Sequence, residues 1–277
     1  MKNKLKILIN YNYTSLKIEP GATGSYFELA AKRRDDCVAF RKGGIDPSEC
    51  DIILNIEQTD EIITHPNAYN VYYEIDNHTN RGRVKERYEK VDRLFIAQKN
   101  YDCYYPQPKT KWLPLACDPE FHKRYEDEAI IYDIAFLGNE SYPRRREFLD
   151  MLSRHFKVYR GIAKSGEPYS RIFNKANLIF NCSMDGDVNM RVFEGIACGR
   201  CLITDTLPSQ NELFEPFRDF VPYTDKYDLF EKARFLLADE AERESIALRG
   251  SAKAHAFHSY DERLRVILND YVENKKS

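Results

Sequence analysis

Short apolar runs alternate with segments of helical period along most of the chain. Residues 5–10, 37–40, 51–56, 70–75, 93–98 and 111–115 read as buried strands in the first part. Residues 131–138, 156–159, 177–182, 201–204 and 220–223 read the same way in the second. Continuous apolar runs of this length mark strands covered on both faces. Helical spacing predicts helices over 26–34, 81–90, 189–198, 228–237, 241–257 and 261–271, with a short helix or turn at 101–105. Pro143 suits the first turn of a further helix. Strands separated by helices predict parallel sheets joined by βαβ crossovers. No solenoid period and no low-complexity tract interrupts the pattern.

One stretch organises the rest. Residues 185–205 read DGDVNMRVFEGIACGRCLITD, between the strands at 177–182 and 201–204. Val192, Phe193, Ile196 and Ala197 form an apolar helical face, and Gly199 stops the helix. Asp187 is the expected N-cap. A helix start offers N–H groups and partial positive charge, which together hold a phosphate. Arg191 in the first turn would add a guanidinium to the same anion. Glu194, almost one turn later, suits sugar or ribose hydroxyls instead. The plain alternative is an ordinary α/β helix with a solvated glutamate.

Composition narrows the class. Hydrophobic residues make 43% and charged residues 31%, as in a soluble globular protein. Formal net charge is -2, which gives no overall attraction to nucleic acid or anionic membrane. No apolar run is long enough for a membrane span, and the apolar run near the N-terminus is too short for a signal peptide. With seven scattered cysteines, a reduced, cytoplasmic location is expected. Cys198 and Cys201 form a CxxC across a helix end, without a second pair at zinc spacing, and read as small buried residues. The 19 tyrosines suit either sugar stacking or core packing.

The run NMRVFEGIACGRCLITD resembles the nucleotide-sugar motif of GT-B glycosyltransferases, most nearly the CgeB-like (spore-maturation) family related to glycosyltransferase family 4. The likeness extends to residues 132–146 and to 112–121, where ACDPEF is similar to the link between GT-B domains. The resemblance implies two Rossmann-like α/β domains facing a cleft, residues 1–117 on the acceptor side and 118–277 binding the donor. It implies a final helix crossing back to the first domain. Glu194 matches the second of two family glutamates. Gly186 stands at the position of the first, flanked by Asp185 and Asp187.

The implied function is transfer of a sugar from a UDP- or GDP-sugar to a hydroxyl, with retention and without metal or other cofactor. The donor site would comprise Gly138, Asn139, Arg144, Arg160, Tyr169, Asp187, Asn189, Met190, Arg191 and Glu194. Arg144 matches a family phosphate-binding arginine; its alternative is a solvated Arg144–Arg146 helix face. The loop 160–169 would hold the nucleobase, and the loop 21–25 would face the cleft. Asp76 and His78 lie at the end of a strand, where ligands bind in open α/β sheets. Either could be a general base or position the acceptor, together with Glu194 at the catalytic centre; a turn and N-cap is the alternative. The acceptor stays open: glycan, small molecule, protein or modified DNA. A non-catalytic nucleotide-sugar module and a DNA-base glycosyltransferase are the other readings. Oligomeric state is not legible.

Overall fold

The computed structural model describes residues 4–12, 23–57, 59, 61–82 and 85–275. Two compact units emerge. The first spans Met1–Leu115 with Tyr260–Ser277, and the second spans Ala116–Ser259. The division falls two residues before the expected 117/118, and the final helix counts with the first unit.

In the first unit, six strands form a sheet: β1 (Leu5–Asn10), β2 (Cys37–Arg41), β3 (Ile52–Ile56), β4 (Tyr69–Glu74), β5 (Arg93–Ile96) and β6 (Thr110–Trp112). Their order is β2-β1-β3-β4-β5-β6, and every pair is parallel. Helix α1 (Thr23–Lys32) follows β1. The expected helix at 81–90 is instead two short helices, α2 (Asn77–Asn80) and α3 (Lys85–Tyr88). The break has a local cause. Arg81 and Gly82 take positive φ of 45° and 72°, and a Cβ at Gly82 would lie 2.4 Å from the Tyr104 carbonyl oxygen. Of the expected loop at 21–25, residues 21 and 22 lie outside the described residues, while Thr23 begins α1.

The second unit holds β7 (Tyr132–Leu137), α4 (Pro143–Ser153), β8 (Val158–Gly161), α5 (Glu167–Asn174), β9 (Ala176–Phe180), α6 (Met190–Ala197) and β10 (Cys201–Asp205). Then come α7 (Pro208–Asn211), β11 (Val221–Tyr223), α8 (Lys226–Ala238) and α9 (Glu240–Phe257). Its five strands are parallel in the order β11-β10-β9-β7-β8. Ile134, Phe136, Leu178, Phe180, Ile203 and Tyr223 fill one face against Phe148, Leu149, Leu229 and Ile246. Each such side chain contributes about 1.5–3 kcal/mol on burial. Helices α8 and α9 start two residues and one residue earlier than their apolar periods suggest, because Asp225 and Asp239 cap them. Helix α5 falls partly in a stretch expected to be loop. Gly166, with φ of 81°, precedes it and Pro168 enters its first turn, so these residues start a helix rather than prevent one. Among the described residues, no helix is long and apolar enough to cross a membrane.

The last helix, α10 (Tyr260–Asn274), is fastened to the first unit. Tyr260 stacks on Tyr26 with ring centroids 5.1 Å apart and meets Phe27 edge-on at 5.2 Å. Asp270 is 2% exposed and accepts from the Tyr69 hydroxyl (2.5 Å), Arg93 Nε (2.8 Å) and Lys111 Nζ (2.5 Å). These partners come from β4, β5 and β6, so one carboxylate ties the helix to three neighbouring strands. Burial raises the Asp270 pKa, but these donors outweigh it and hold the group below the usual aspartate range. Fully buried Tyr26, Tyr72, Tyr73, Tyr223 and Tyr260 place much of the aromatic surplus in the two cores.

Replacing Asp270 with Asn would leave Arg93 without its anion and Lys111 with only Glu273, 3.7 Å away. The expected cost is about 2–4 kcal/mol, read as a lower urea midpoint in the transition reported by the first unit's tyrosines. An unchanged midpoint would remove Asp270 as the fastening of α10.

Candidate active site

In the second unit, β7 lies between β8 and β9, so the chain leaves it in opposite directions. The crevice beyond the carboxyl ends of β7 and β9 is therefore a topological switch point, where open α/β sheets bind ligands. Helix α6 begins there. Its apolar face is buried through Val192, Phe193, Ile196 and Ala197. Gly195 lets it lie close to the sheet, since a Cβ there would be 3.3 Å from both Ile179 and Leu202 side chains.

Arg191 pins the helix start to that crevice. Its Nε donates to the Leu137 carbonyl at 2.6 Å, and Nη1 donates to Asn181 Oδ1 at 2.7 Å. The guanidinium lies 4.6 Å from the centre of the Phe136 ring. Nη2 rests against Gly138, where a Cβ would come within 2.1 Å of it. Gly138 is thus the residue type that admits Arg191. Neither of these hydrogen bonds uses Nη2, so that group is left for a further acceptor.

The expected N-cap is corrected. Asn189, with φ of −72° and ψ of 166°, precedes the first helical residue. Asp187 closes the turn before it, accepting from the Met184 N–H at 2.5 Å. Asn189 makes no capping bond, and both polar atoms of its amide are buried without a hydrogen-bond partner. Asp185 and Gly186 have φ of 54° and 76°. That left-handed pair explains why glycine stands at position 186, since a glutamate would be strained there.

Glu194 is 6% exposed, and its carboxyl pKa is raised to about 7 by burial, against lowering by Tyr169 and Arg191. His122 Nε2 stands 3.4 Å from its Oε1. Tyr169 packs edge-on against both His122 and Phe173, and burial followed by the Glu194 charge holds its hydroxyl pKa well above the usual range.

A cavity of about 250 Å³ opens over this helix start. Six of the expected donor residues line it: Gly138, Tyr169, Asn189, Met190, Arg191 and Glu194. Leu137, Ile162 and Ala163 complete the lining. The remaining expected donor residues do not line it. Arg160 is engaged by Glu140 and by Asp150 at 2.6 Å. Arg144 Nη1 donates to Asp205 at 3.1 Å and its guanidinium lies over Phe148. Asn139 accepts from the Ser141 N–H at 2.8 Å. Of the Arg144–Arg146 run, Arg145 is neither solvated nor aimed at an anion. It is buried and donates to the Cys182 and Asn139 carbonyls.

Asp76 and His78 belong to the first unit, just beyond β4. Asp76 precedes α2, yet its side chain makes no capping bond. Burial raises its pKa, opposed by His78. His78 is buried, and its Nδ1 has no partner. Sequence reasoning missed Glu57, which follows β3 and accepts from the Asp76 N–H and the Asn80 amide, each at 2.5 Å. Burial pushes its carboxyl up to about 7. Its position directly after an apolar strand was the available signal. Cys198 and Cys201 are buried free thiols with pKa pushed up to about 12 by burial, which keeps them protonated. Among the described residues, no group of three or more His, Cys, Asp or Glu side chains is placed to hold a metal ion.

The glycosyl transferase-like family matches residues 121–269, more than half of the chain. The chain belongs to this family. No curated protein matches this glycosyl transferase-like chain in sequence. Its fold is that of GT-B glycosyltransferases, α/β with two parallel-sheet units. Anabaena HepE in complex with UDP and glucose superposes with a TM-score of 0.65 at 11% identity, covering 97% of this chain and 99% of that one. An alpha-glucosyltransferase in complex with UDP-glucose and DNA containing an abasic site gives 0.71 at 10% identity, covering 98% and 100%. Sucrose-phosphate synthase from Thermosynechococcus elongatus gives 0.62 at 11%, covering 99% and 100%. The protein is a glycosyltransferase.

The raised Glu194 pKa makes a stability prediction. Its folded value, about 7, exceeds the model-compound 4.5 of an unfolded chain. Its contribution is therefore fully present below pH 4.5 and is lost as pH rises through 7. Glu194→Gln removes that dependence. Relative to wild type, the variant should gain on the order of 3 kcal/mol between pH 4.5 and 8, read from urea midpoints at both pH values. A pH-independent difference would contradict a buried, uncompensated carboxyl.

Proposed function

We propose that the protein moves a sugar from a UDP- or GDP-sugar to a hydroxyl acceptor, with the donor held in the cavity over α6. The observation that carries this reading is the buried Asn189 amide without a partner, beside a helix start and Arg191 and one turn from Glu194. Asn189 Nδ2, the first N–H groups of α6 and Arg191 Nη2 would receive the diphosphate. Glu194 would accept hydrogen bonds from ribose or sugar hydroxyls. Ile162, Ala163 and Tyr169 would lie against the nucleobase.

The chemistry asks for a stabilised leaving diphosphate as the glycosidic bond loosens. The helix start and Arg191 supply positive charge without a metal ion. Gly138 keeps room for that guanidinium, while Asn139, Arg144, Arg160 and Asp187 shape the surrounding loops. Within the family we place the chain nearest the CgeB-like members, on the run NMRVFEGIACGRCLITD. That placement brings retention of configuration, with the donor phosphate assisting deprotonation of the acceptor. Asp76 or His78, held by Glu57 through α2, would orient the acceptor hydroxyl. One observation favours a second reading, a non-catalytic nucleotide-sugar module: the left-handed Gly186 stands where family 4 carries its first glutamate.

Calorimetric titration with UDP-glucose and GDP-glucose tests the donor site. Arg191→Ala should weaken the preferred donor about 10- to 100-fold and also lower the melting temperature, because its bonds to Leu137 and Asn181 go with it. Asn189→Ala should weaken the donor about fivefold at unchanged melting temperature. Wild-type affinity in both variants would remove the assignment. Slow hydrolysis of the bound donor supports the enzyme; binding without turnover over a broad set of acceptors supports the second reading.

A further inference from the structure

The stretch that resembles an interdomain link does more than connect. Residues 118–122 fold into a closed turn inside the second unit. The Asp118 side chain accepts from the Glu120 N–H at 3.0 Å, and its carbonyl accepts from the His122 N–H at 2.9 Å. The Asp118 N–H in turn donates to His122 Nδ1 at 2.8 Å. That last bond fixes the tautomer. Nδ1 is an acceptor, so the neutral ring carries its proton on Nε2. Nε2 is the atom that faces Glu194 Oε1 at 3.4 Å, long for a hydrogen bond but close for an N–H against a carboxylate. His122 is completely buried, and burial holds its pKa down to about 3.

We propose that His122 is a positioning residue for the donor site: its Nε2–H orients the Glu194 carboxyl toward the cavity through a neutral contact, leaving that carboxyl available to the hydroxyls of the nucleotide sugar. Other side chains at position 122 would act differently. A lysine or arginine in this place would pair with Glu194 and satisfy its oxygens. An apolar residue would leave the carboxyl held by the Tyr169 hydroxyl alone. A buried neutral N–H directs one oxygen without neutralising the group. The Tyr169 ring, edge-on to His122 at 6.3 Å, closes the other side of the imidazole. The inference rests on the reading that Glu194 touches the donor.

Two substitutions separate the two bonds of the imidazole. His122→Asn keeps an acceptor for the Asp118 N–H but is too short to reach Glu194. His122→Gln places an N–H near the Nε2 position and gives up the acceptor. With UDP-glucose as probe, His122→Asn should raise the dissociation constant about tenfold, while His122→Gln stays within about threefold of wild type. In donor hydrolysis, His122→Asn should raise KM and leave kcat within about twofold. A purely structural role would lower the active fraction, hence kcat, at constant KM. Glu194→Gln should weaken binding on its own, and adding His122→Asn should cost little more, because one contact is broken twice. Additive losses, equal losses in the Asn and Gln variants, or wild-type affinity in His122→Asn would overturn the role of His122 alone. Wild-type affinity in Glu194→Gln would overturn the donor-site reading and this inference with it. Should His122→Asn not fold, His122→Met, which fills the site without an N–H, takes its place in the cycle with Glu194→Gln.

Discussion

The arrangement of the second unit depends on where one guanidinium rests. Arg191 reaches back from the first turn of α6 to Leu137 at the end of β7 and to Asn181 just beyond β9. Those two strands flank the point at which the chain reverses its direction across the sheet. A single side chain therefore sets the helix start over the only kind of crevice that an open parallel sheet offers a ligand. The Phe136 ring beneath it and the bare Gly138 beside it determine how close the charge can come. Cavity, helix start and guanidinium are consequences of one packing solution.

Two buried acids show how the same chemistry is put to opposite ends. Asp270 is surrounded by donors from three strands, and its pKa falls. Glu194 is about as deeply buried, yet faces a neutral imidazole and a phenol, and its pKa rises. Satisfied charge holds α10 in place. A carboxyl whose burial outweighs its few partners is retained beside an open cavity, where a polar ligand can meet it. Asn189 follows the second pattern with an amide in place of a carboxyl. Groups left without partners at α6 are concentrated on the side where a phosphate or a hydroxyl would complete them.

How much of this is readable before folding depends on the range of the interaction. Helix α6, its stop at Gly199 and the flanking strands follow from local period and turn chemistry, and they appear where the residues indicate. Four lining residues, Asn189, Met190, Arg191 and Glu194, follow because the motif itself forms part of the crevice wall. The arginines at 144–146 do not follow. Their roles are set by Asp205 and by carbonyls at 139, 140 and 182, which only the folded sheet brings near. Asp187 is a good N-cap type, but the left-handed turn at 185–186 moves the helix start two residues on. His122 and Glu57 escape notice because a single histidine in a turn, or a single glutamate after a strand, carries no spacing. Their significance comes from distant partners and from burial. Gly166 and Pro168 mislead because both are loop residues and helix initiators, and only the backbone decides between them.

The placement of α10 also fixes the order in which the molecule can be completed. Its partners Tyr69, Arg93 and Lys111 leave the ribosome long before Asp270 does. The first unit therefore lacks the carboxylate of Asp270, and the Tyr260 ring against Tyr26 and Phe27, until the whole of the second unit has been synthesised. The domain begun first is the one finished last.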